Sequence, residues 1–346
     1  MEMRLLGRSG TAVSNYALGT MTFGNESDER VSHALLNDYV AAGGNFIDTA
    51  DVYTSGASEE IIGRWLHANP DAAADVVLAT KGRFPMGSGA NDLGTSRRHL
   101  RRALDASLTR LGVDHVDLYQ LHSWDPFTPL EESLGFLNDA VTAGKISYYG
   151  LSNFTGWQLT KAVYVAREHG WALPVTLQPQ YNLLEREIES EIVPAALDAG
   201  LGLLPWSPLA GGWLTGKYDR ETVPAGNTRV GDNPARRFQG WDLRSHNERT
   251  WRILDELRTV AHAHGATPAQ AALAWLADRP GVTSVILGAR TTDQLADNLG
   301  AAFLTLTQEE TERLTELSAP MVGNYPYGAD GVNQRERLLD GGRATR

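Results

Sequence analysis

The chain contains no cysteine among its 346 residues, which excludes disulfides and thiolate metal sites outright. Long hydrophobic runs are missing too. No stretch reaches the roughly 18 apolar residues a membrane helix needs, and Met1 to Gly10 holds no apolar core of signal-peptide length. These absences predict a soluble, cytoplasmic protein with no membrane partner. Positive charge is scarce: 31 Lys and Arg face 42 Asp and Glu, a formal net charge of −11, whereas a nucleic-acid partner needs a basic face. A local basic pocket for an anionic ligand remains compatible with that balance. His262 and His264 stand two apart, the wrong spacing for an i,i+4 metal pair, so no metal site is expected.

What is present suits an α/β protein. Hydrophobic residues make up 42% and there are 35 glycines, as many short loops require. Short β-like runs at 14–20, 45–50, 75–81, 116–122, 146–152, 175–181, 201–207 and 283–288 alternate with longer helical patterns. Strict alternation implies a parallel sheet with crossover helices. Eight units favour a single closed (β/α)8 TIM barrel spanning residues 1–346 over an open doubly wound sheet. Ser58-Glu59-Glu60 reads as a helix start, Gly112 as the end of a helix running from Ser96 to Leu111, and Gly144, Gly170, Gly200 and Gly265 as left-handed C-caps. Three irregular stretches, 82–95, 208–245 and the tail after Ala319, interrupt the alternation. The first two follow strands, so in a barrel they are long rim loops that shape a substrate pocket, or else plain insertions.

Four polar residues close or follow successive apolar runs: Asp48 after Asn45-Phe46-Ile47, Tyr53 five residues on, Lys81 after Val76-Val77-Leu78-Ala79-Thr80, and His122 after Val116 to Leu121. In a barrel these strand ends converge on one rim. A tyrosine hydroxyl with its ordinary pKa near 10 is a poor acid at neutral pH. A neighbouring ammonium lowers it, and a carboxylate paired with the lysine keeps that lysine charged. Tyr53, Lys81 and Asp48 supply those parts, and His122 orients a carbonyl oxygen that Tyr53 protonates. Each residue alone has an ordinary reading, as a turn former, a rim aromatic or a solvated side chain.

The segments Asn45-Phe46-Ile47-Asp48-Thr49-Ala50-Asp51-Val52-Tyr53, Ala79-Thr80-Lys81 and Asp117-Leu118-Tyr119-Gln120-Leu121-His122 resemble the signature of the aldo-keto reductases, and the likeness runs from Leu18-Gly19-Thr20-Met21 to Asn298. The resemblance implies a TIM barrel, the catalytic set Tyr53, Asp48, Lys81 and His122, and an NADPH/NADP+ cofactor bound in extended form. In agreement, no Gly-x-Gly-x-x-Gly opens a helix anywhere in the chain.

The resemblance further implies a cofactor site. Gly19, Thr20, Met21 and Asp48 lie at its first strand ends. Ser152, Asn153 and Gln178 match the residues that hydrogen-bond the nicotinamide carboxamide, and Trp206 takes the stacking position, often a tyrosine. Ser207, Leu209 and Lys217 match the pyrophosphate loop; Gly288, Arg290, Gln294 and Asn298 match the stretch that clasps the adenosine end. Gly288 and Gln294 replace cations found in some branches, leaving Arg290 to grip a 2′-phosphate.

The His122-Ser123-Trp124-Asp125-Pro126 turn and the stretch beginning Trp206-Ser207-Pro208 look most like the branch containing aryl-alcohol dehydrogenases and actinobacterial sugar ketoreductases. The expected activity is NADPH-dependent reduction of a small-molecule aldehyde or ketone. A nucleotide-linked keto-deoxysugar is the alternative substrate, and a cofactor-binding regulatory subunit, as in the channel-associated β subunits of the superfamily, is the alternative role. Phe23, Trp124, Trp213 and Trp241 are candidates either for lining an apolar pocket or for core and lid packing. The Arg97-to-Arg102 cluster reads as a solvated helix face. Oligomeric state is not legible.

Overall fold

All eight expected strands form and lie in one parallel sheet: β3 (Tyr16–Gly19), β4 (Phe46–Asp48), β5 (Val77–Gly82), β6 (Val116–Leu121), β7 (Ile146–Ser152), β8 (Thr176–Gln178), β9 (Gly202–Leu203) and β10 (Val285–Gly288). This computed structural model describes residues 1–225, 229–232 and 240–335; parts of the 208–245 loop and of the C-terminal tail fall outside those residues. The strand order is β10-β3-β4-β5-β6-β7-β8-β9. Backbone bonds close the ring, with Leu203 N donating to Gly281 O at 2.8 Å, Thr283 N to Leu203 O at 2.9 Å and Ile286 N to Pro205 O at 3.0 Å. The architecture is a (β/α)8 barrel.

Two apolar layers follow from the period-2 alternation of each strand. One parity, including Ala17, Phe46, Val77, Ala79, Leu118, Leu204 and Ile286, fills the barrel interior. The other parity, including Leu18, Ile47, Leu78, Tyr119, Leu121, Leu151 and Leu177, packs under the helices. Gly150 shows how tight the interior is, since a Cβ there would lie 2.1 Å from Thr176 Oγ1 and 3.2 Å from Gln120 Cγ. The interior parity matters for function: Asp48, Lys81, Gln120, His122, Ser152, Gln178 and Trp206 all continue it toward the C-terminal rim.

Helix punctuation largely follows expectation. Helix Arg97–Leu111 is capped by Ser96, whose side chain accepts from His99 N, and ends at Gly112 with φ 66°. Gly144, Gly170, Gly200 and Gly265 also have positive φ. The helix expected at Ser58-Glu59-Glu60 forms one residue earlier, with Glu59 and Glu60 in its first turn. Helix Ala57–Ala68 begins after Gly56, and Ser58 is buried in its first turn, where its hydroxyl donates to Thr20 O at 3.0 Å.

The N-terminal hairpin β1 (Met3–Leu5) and β2 (Ala12–Ser14) was not evident from sequence. Two three-residue strands are too short to show alternation. The hairpin covers the end of the barrel opposite the candidate site, where Leu6 is fully buried against the interior layer. Among the described residues, no helix is long and apolar enough to cross a membrane.

Candidate active site

Asp48 is the last residue of β4, Lys81 is next to last in β5, and His122 directly follows β6. Because parallel neighbours in a barrel all point their C-terminal ends the same way, these side chains meet. The Lys81 Nζ donates to Asp48 Oδ2 at 2.6 Å, to the Thr49 carbonyl at 2.7 Å and to the Tyr53 hydroxyl at 3.3 Å. Lys81 and Asp48 are 0% and 2% exposed, so this ion pair is sealed from water. The other Asp48 oxygen accepts from Gln178 Nε2 at 2.9 Å and Gln120 Nε2 at 3.3 Å. A buried carboxylate so satisfied is held rigidly.

Tyr53 sits in a tight turn after β4 where Thr54 and Ser55 both adopt left-handed backbone, φ 48° and 54°. That turn returns the phenol over the lysine, with Nζ 5.0 Å from the ring centroid. Burial pushes the Tyr53 pKa up more strongly than the Lys81 ammonium pulls it down, so the net shift is upward. This overturns the expectation of a lowered tyrosine, because desolvation of the phenolate outweighs one neighbouring charge. Burial also works against the Lys81 ammonium, but Asp48 and Tyr53 more than offset it and its pKa rises. His122 goes the other way: burial, then Lys81 and Arg83, hold it well below the ordinary imidazole value, so it is neutral at neutral pH. Its ring lies edge-on to Tyr53 at 5.9 Å and to Phe84 at 4.6 Å, and its Nδ1 is buried without a hydrogen-bond partner.

The residues matched to a cofactor site line the neighbouring arc of the rim. Ser152 Oγ donates to Gln178 O at 2.9 Å, and Asn153 Nδ2 donates to His122 O at 2.9 Å and Ser152 Oγ at 3.1 Å. The Trp206 indole donates to Asn153 Oδ1 at 3.1 Å, which fixes the plane of its half-buried ring at the end of the β9 run. Gly19 ends β3, Thr20 is buried with its hydroxyl donating to Asp48 O at 3.1 Å, and Met21 is exposed on the rim. Ser207 has φ 56° and leads through Leu209 into a turn where Gly212 has φ 98°. A Cβ on Gly212 would meet Lys217 Nζ at 2.6 Å, so glycine leaves room for that ammonium. At the far end Arg290 N donates to Gln294 Oε1 at 2.9 Å, Asn298 Nδ2 donates to the exposed Gly288's carbonyl at 3.3 Å, and Arg290 pairs with Glu26 at 3.5 Å.

Of the four aromatic candidates, Phe23, Trp213 and Trp241 are core residues. Trp213 stacks on Trp241 at 5.3 Å and meets Trp251 and Tyr218 edge-on. Trp124 alone stays at the rim, against Phe154 and Trp157. Sequence reasoning missed Gln120, Asp51, Arg83 and Phe84. Gln120 had a usable signal, its shared parity with Leu118 and His122. Asp51 had none. It is fully buried outside the barrel interior, with neither oxygen partnered.

A barrel with a buried Lys-Asp pair, a tyrosine and a neutral histidine on its C-terminal rim defines a class of oxidoreductase scaffold. The aldo/keto reductase family pattern matches residues 16–319. The chain belongs to that family. It is 38% identical to an uncharacterized oxidoreductase, YrpG, of Bacillus subtilis, over 94% of this chain and 98% of the relative. It is 40% identical to a probable voltage-gated potassium channel subunit beta of Oryza sativa subsp. japonica, over 91% and 95%. A versiconal hemiacetal acetate reductase of Aspergillus parasiticus is 33% identical over 92% and 98%.

Proposed function

We propose that this protein reduces an aldehyde or ketone to an alcohol, with NADPH as reductant, Tyr53 as general acid and His122 orienting the substrate. The observation that carries this is the Lys81 ammonium, bonded at once to Asp48 at 2.6 Å and to the Tyr53 hydroxyl at 3.3 Å. Because the ammonium donates to the phenol oxygen, the phenol's own proton is free for an acceptor at the rim. When that proton leaves, the same contact stabilises the phenolate, and Asp48 keeps Lys81 charged throughout. Neutral His122 beside the ring places a polar edge near the carbonyl oxygen without adding a second charge. Phe84 and Trp124 supply apolar surface that excludes water.

The donor set fits a nicotinamide cofactor. The Ser152 hydroxyl and the Asn153 and Gln178 amides have the donor and acceptor mix a carboxamide requires, beside the flat Trp206 face. Lys217, with the room Gly212 leaves beside it, suits a pyrophosphate, and Arg290 suits a 2′-phosphate. Bound there, a reduced nicotinamide supplies the hydride that the carbonyl carbon takes up.

NADPH absorbance, followed with aryl aldehydes, aliphatic ketones and a keto-sugar nucleotide, tests the reading. Wild type should consume NADPH while Tyr53→Phe binds it but turns over at least about a hundredfold more slowly. The resemblance to a channel β subunit favours a second role, an NADPH-binding regulatory subunit. Tight NADPH binding with no turnover of any carbonyl by wild type would support that role and sink the first.

A further inference from the structure

Arg83 follows β5 directly and stands on the rim close enough to His122 for its charge to act on the imidazole, and among the described residues no carboxylate forms an ion pair with it. Among the described residues its side chain makes one hydrogen bond, a long one from Nη2 to the Trp124 carbonyl at 3.4 Å, and its Nε is buried with no partner there. The Asp125 carboxylate feels the Arg83 charge but makes its hydrogen bonds elsewhere: it accepts from Thr95 N at 2.8 Å, Thr128 Oγ1 at 2.7 Å and Phe127 N at 3.0 Å. The Arg83 backbone is strained as well, with φ 151° in a region few residues other than glycine adopt. A partly buried guanidinium left with unsatisfied donors is unfavourable unless a ligand completes it.

The surroundings say what that ligand carries. The Arg83 Cζ lies 4.9 Å from the Phe84 ring centroid, and the His122 ring lies 4.6 Å from the same ring. The cation and the imidazole therefore share contact with one aromatic ring, and the Trp124 backbone lies against the guanidinium. A planar substrate alongside Phe84, its reacting carbonyl at Tyr53 and His122, would present the opposite end of its ring to the guanidinium fork.

We propose that Arg83 is a substrate-anchoring residue that selects aryl carbonyl compounds bearing a carboxylate across the ring from the reacting group. The assignment rests on the carbonyl-reductase reading above and names its substrate class. A guanidinium grips a carboxylate bidentately, which a hydroxyl or ester cannot match.

The test measures binding and turnover separately. Dissociation constants for 4-formylbenzoate and for its methyl ester are read by intrinsic tryptophan fluorescence with NADP+ present, for wild type, Arg83→Gln and Arg83→Lys. Wild type should bind the acid about tenfold or more tightly than the ester, in line with one charge-assisted pair. Arg83→Gln should abolish that preference while leaving ester binding unchanged, and Arg83→Lys should keep part of it. Unchanged ester binding also shows that the variant is folded. No acid preference in wild type, or the same preference in Arg83→Gln, overturns the proposal. NADPH oxidation with the ester on the same samples reports on the reductase reading alone: if wild type binds the acid through Arg83 but reduces neither compound, the reductase reading falls and the anion site stands.

Discussion

The Lys81 Nζ lies 2.6 Å from Asp48 Oδ2 with both side chains out of solvent. Removing one partner from a buried pair leaves the other charge uncompensated. Lys81→Met should therefore destabilise the fold by about 3–5 kcal/mol, measured by denaturant unfolding, and abolish turnover. Adding Asp48→Asn to that variant should recover part of the stability and none of the activity. Equal destabilisation in the double variant would mean that packing, not the stranded carboxylate, dominates.

Asp51 should make stability depend on pH. Burial, then the nearby Glu59 carboxylate, push its pKa up to about 7, against the partial help of Arg110 and Lys81; the Tyr119 phenol also faces it. In the unfolded chain it titrates near its ordinary value of about 3.9. Below that pH both states hold the proton and its contribution is fully present. Between there and about 7 the unfolded chain releases the proton while the fold retains it, so stability falls as pH rises and levels off above. Asp51→Asn, which has no charge to bury, should melt higher than wild type at pH 8, with the difference vanishing near pH 4. Parallel melting curves across that range would refute this.

Trp206 should report on cofactor binding. NADPH is expected to quench tryptophan fluorescence in wild type. Trp206→Ala should lose much of that quench and bind at least about tenfold more weakly, because it removes a stacking face of the size that dominates such contacts. Trp206→Phe should bind nearly as well, although Asn153 loses the indole donor that lies 3.1 Å away. Equal affinity in all three proteins would place the nicotinamide elsewhere.

Arg290 should set the preference between NADPH and NADH. Arg290→Ala is expected to raise the NADPH dissociation constant about tenfold or more, the scale of one charge-assisted phosphate contact, and to leave NADH almost unaffected. Isothermal titration with both cofactors reads the ratio. Because Arg290 pairs with Glu26 at 3.5 Å in this structure, Glu26→Gln should shift the ratio the opposite way.

Much of this could be read from residue order. Eight strand runs alternating with helices pointed to the barrel, and Asp48, Tyr53, Lys81 and His122 stood out because each ends or follows an apolar run. Gly112 and its counterparts marked helix ends, since a left-handed cap has a residue signature. The hairpin of Met3–Leu5 and Ala12–Ser14 was invisible because three residues are too few to display a period. Phe23, Trp213 and Trp241 could not be sorted from Trp124, because an aromatic in a loop has the same local pattern whether it faces a pocket or the core.

Sequence alone determined that alternate residues of each strand face opposite sides of the sheet, because side-chain alternation is a local property of extended backbone. The strand ends it marked put Asp48, Tyr53, Lys81 and His122 on one rim, while Ser152 and Gln178 were placed beside them only by the family resemblance. Only the tertiary structure decided how their charges behave. Tyr53 is raised rather than lowered because desolvation depends on everything packed around it. Asp51 acquires a pKa of about 7 through burial and Glu59, a residue eight positions away that helix Ala57–Ala68 brings near it. Arg83 makes no ion pair among the described residues, because the Asp125 carboxylate, whose pKa its charge helps to lower, is turned toward Thr95 and Thr128. Electrostatic energies are set by distance and dielectric in three dimensions, and neither is written in the order of residues.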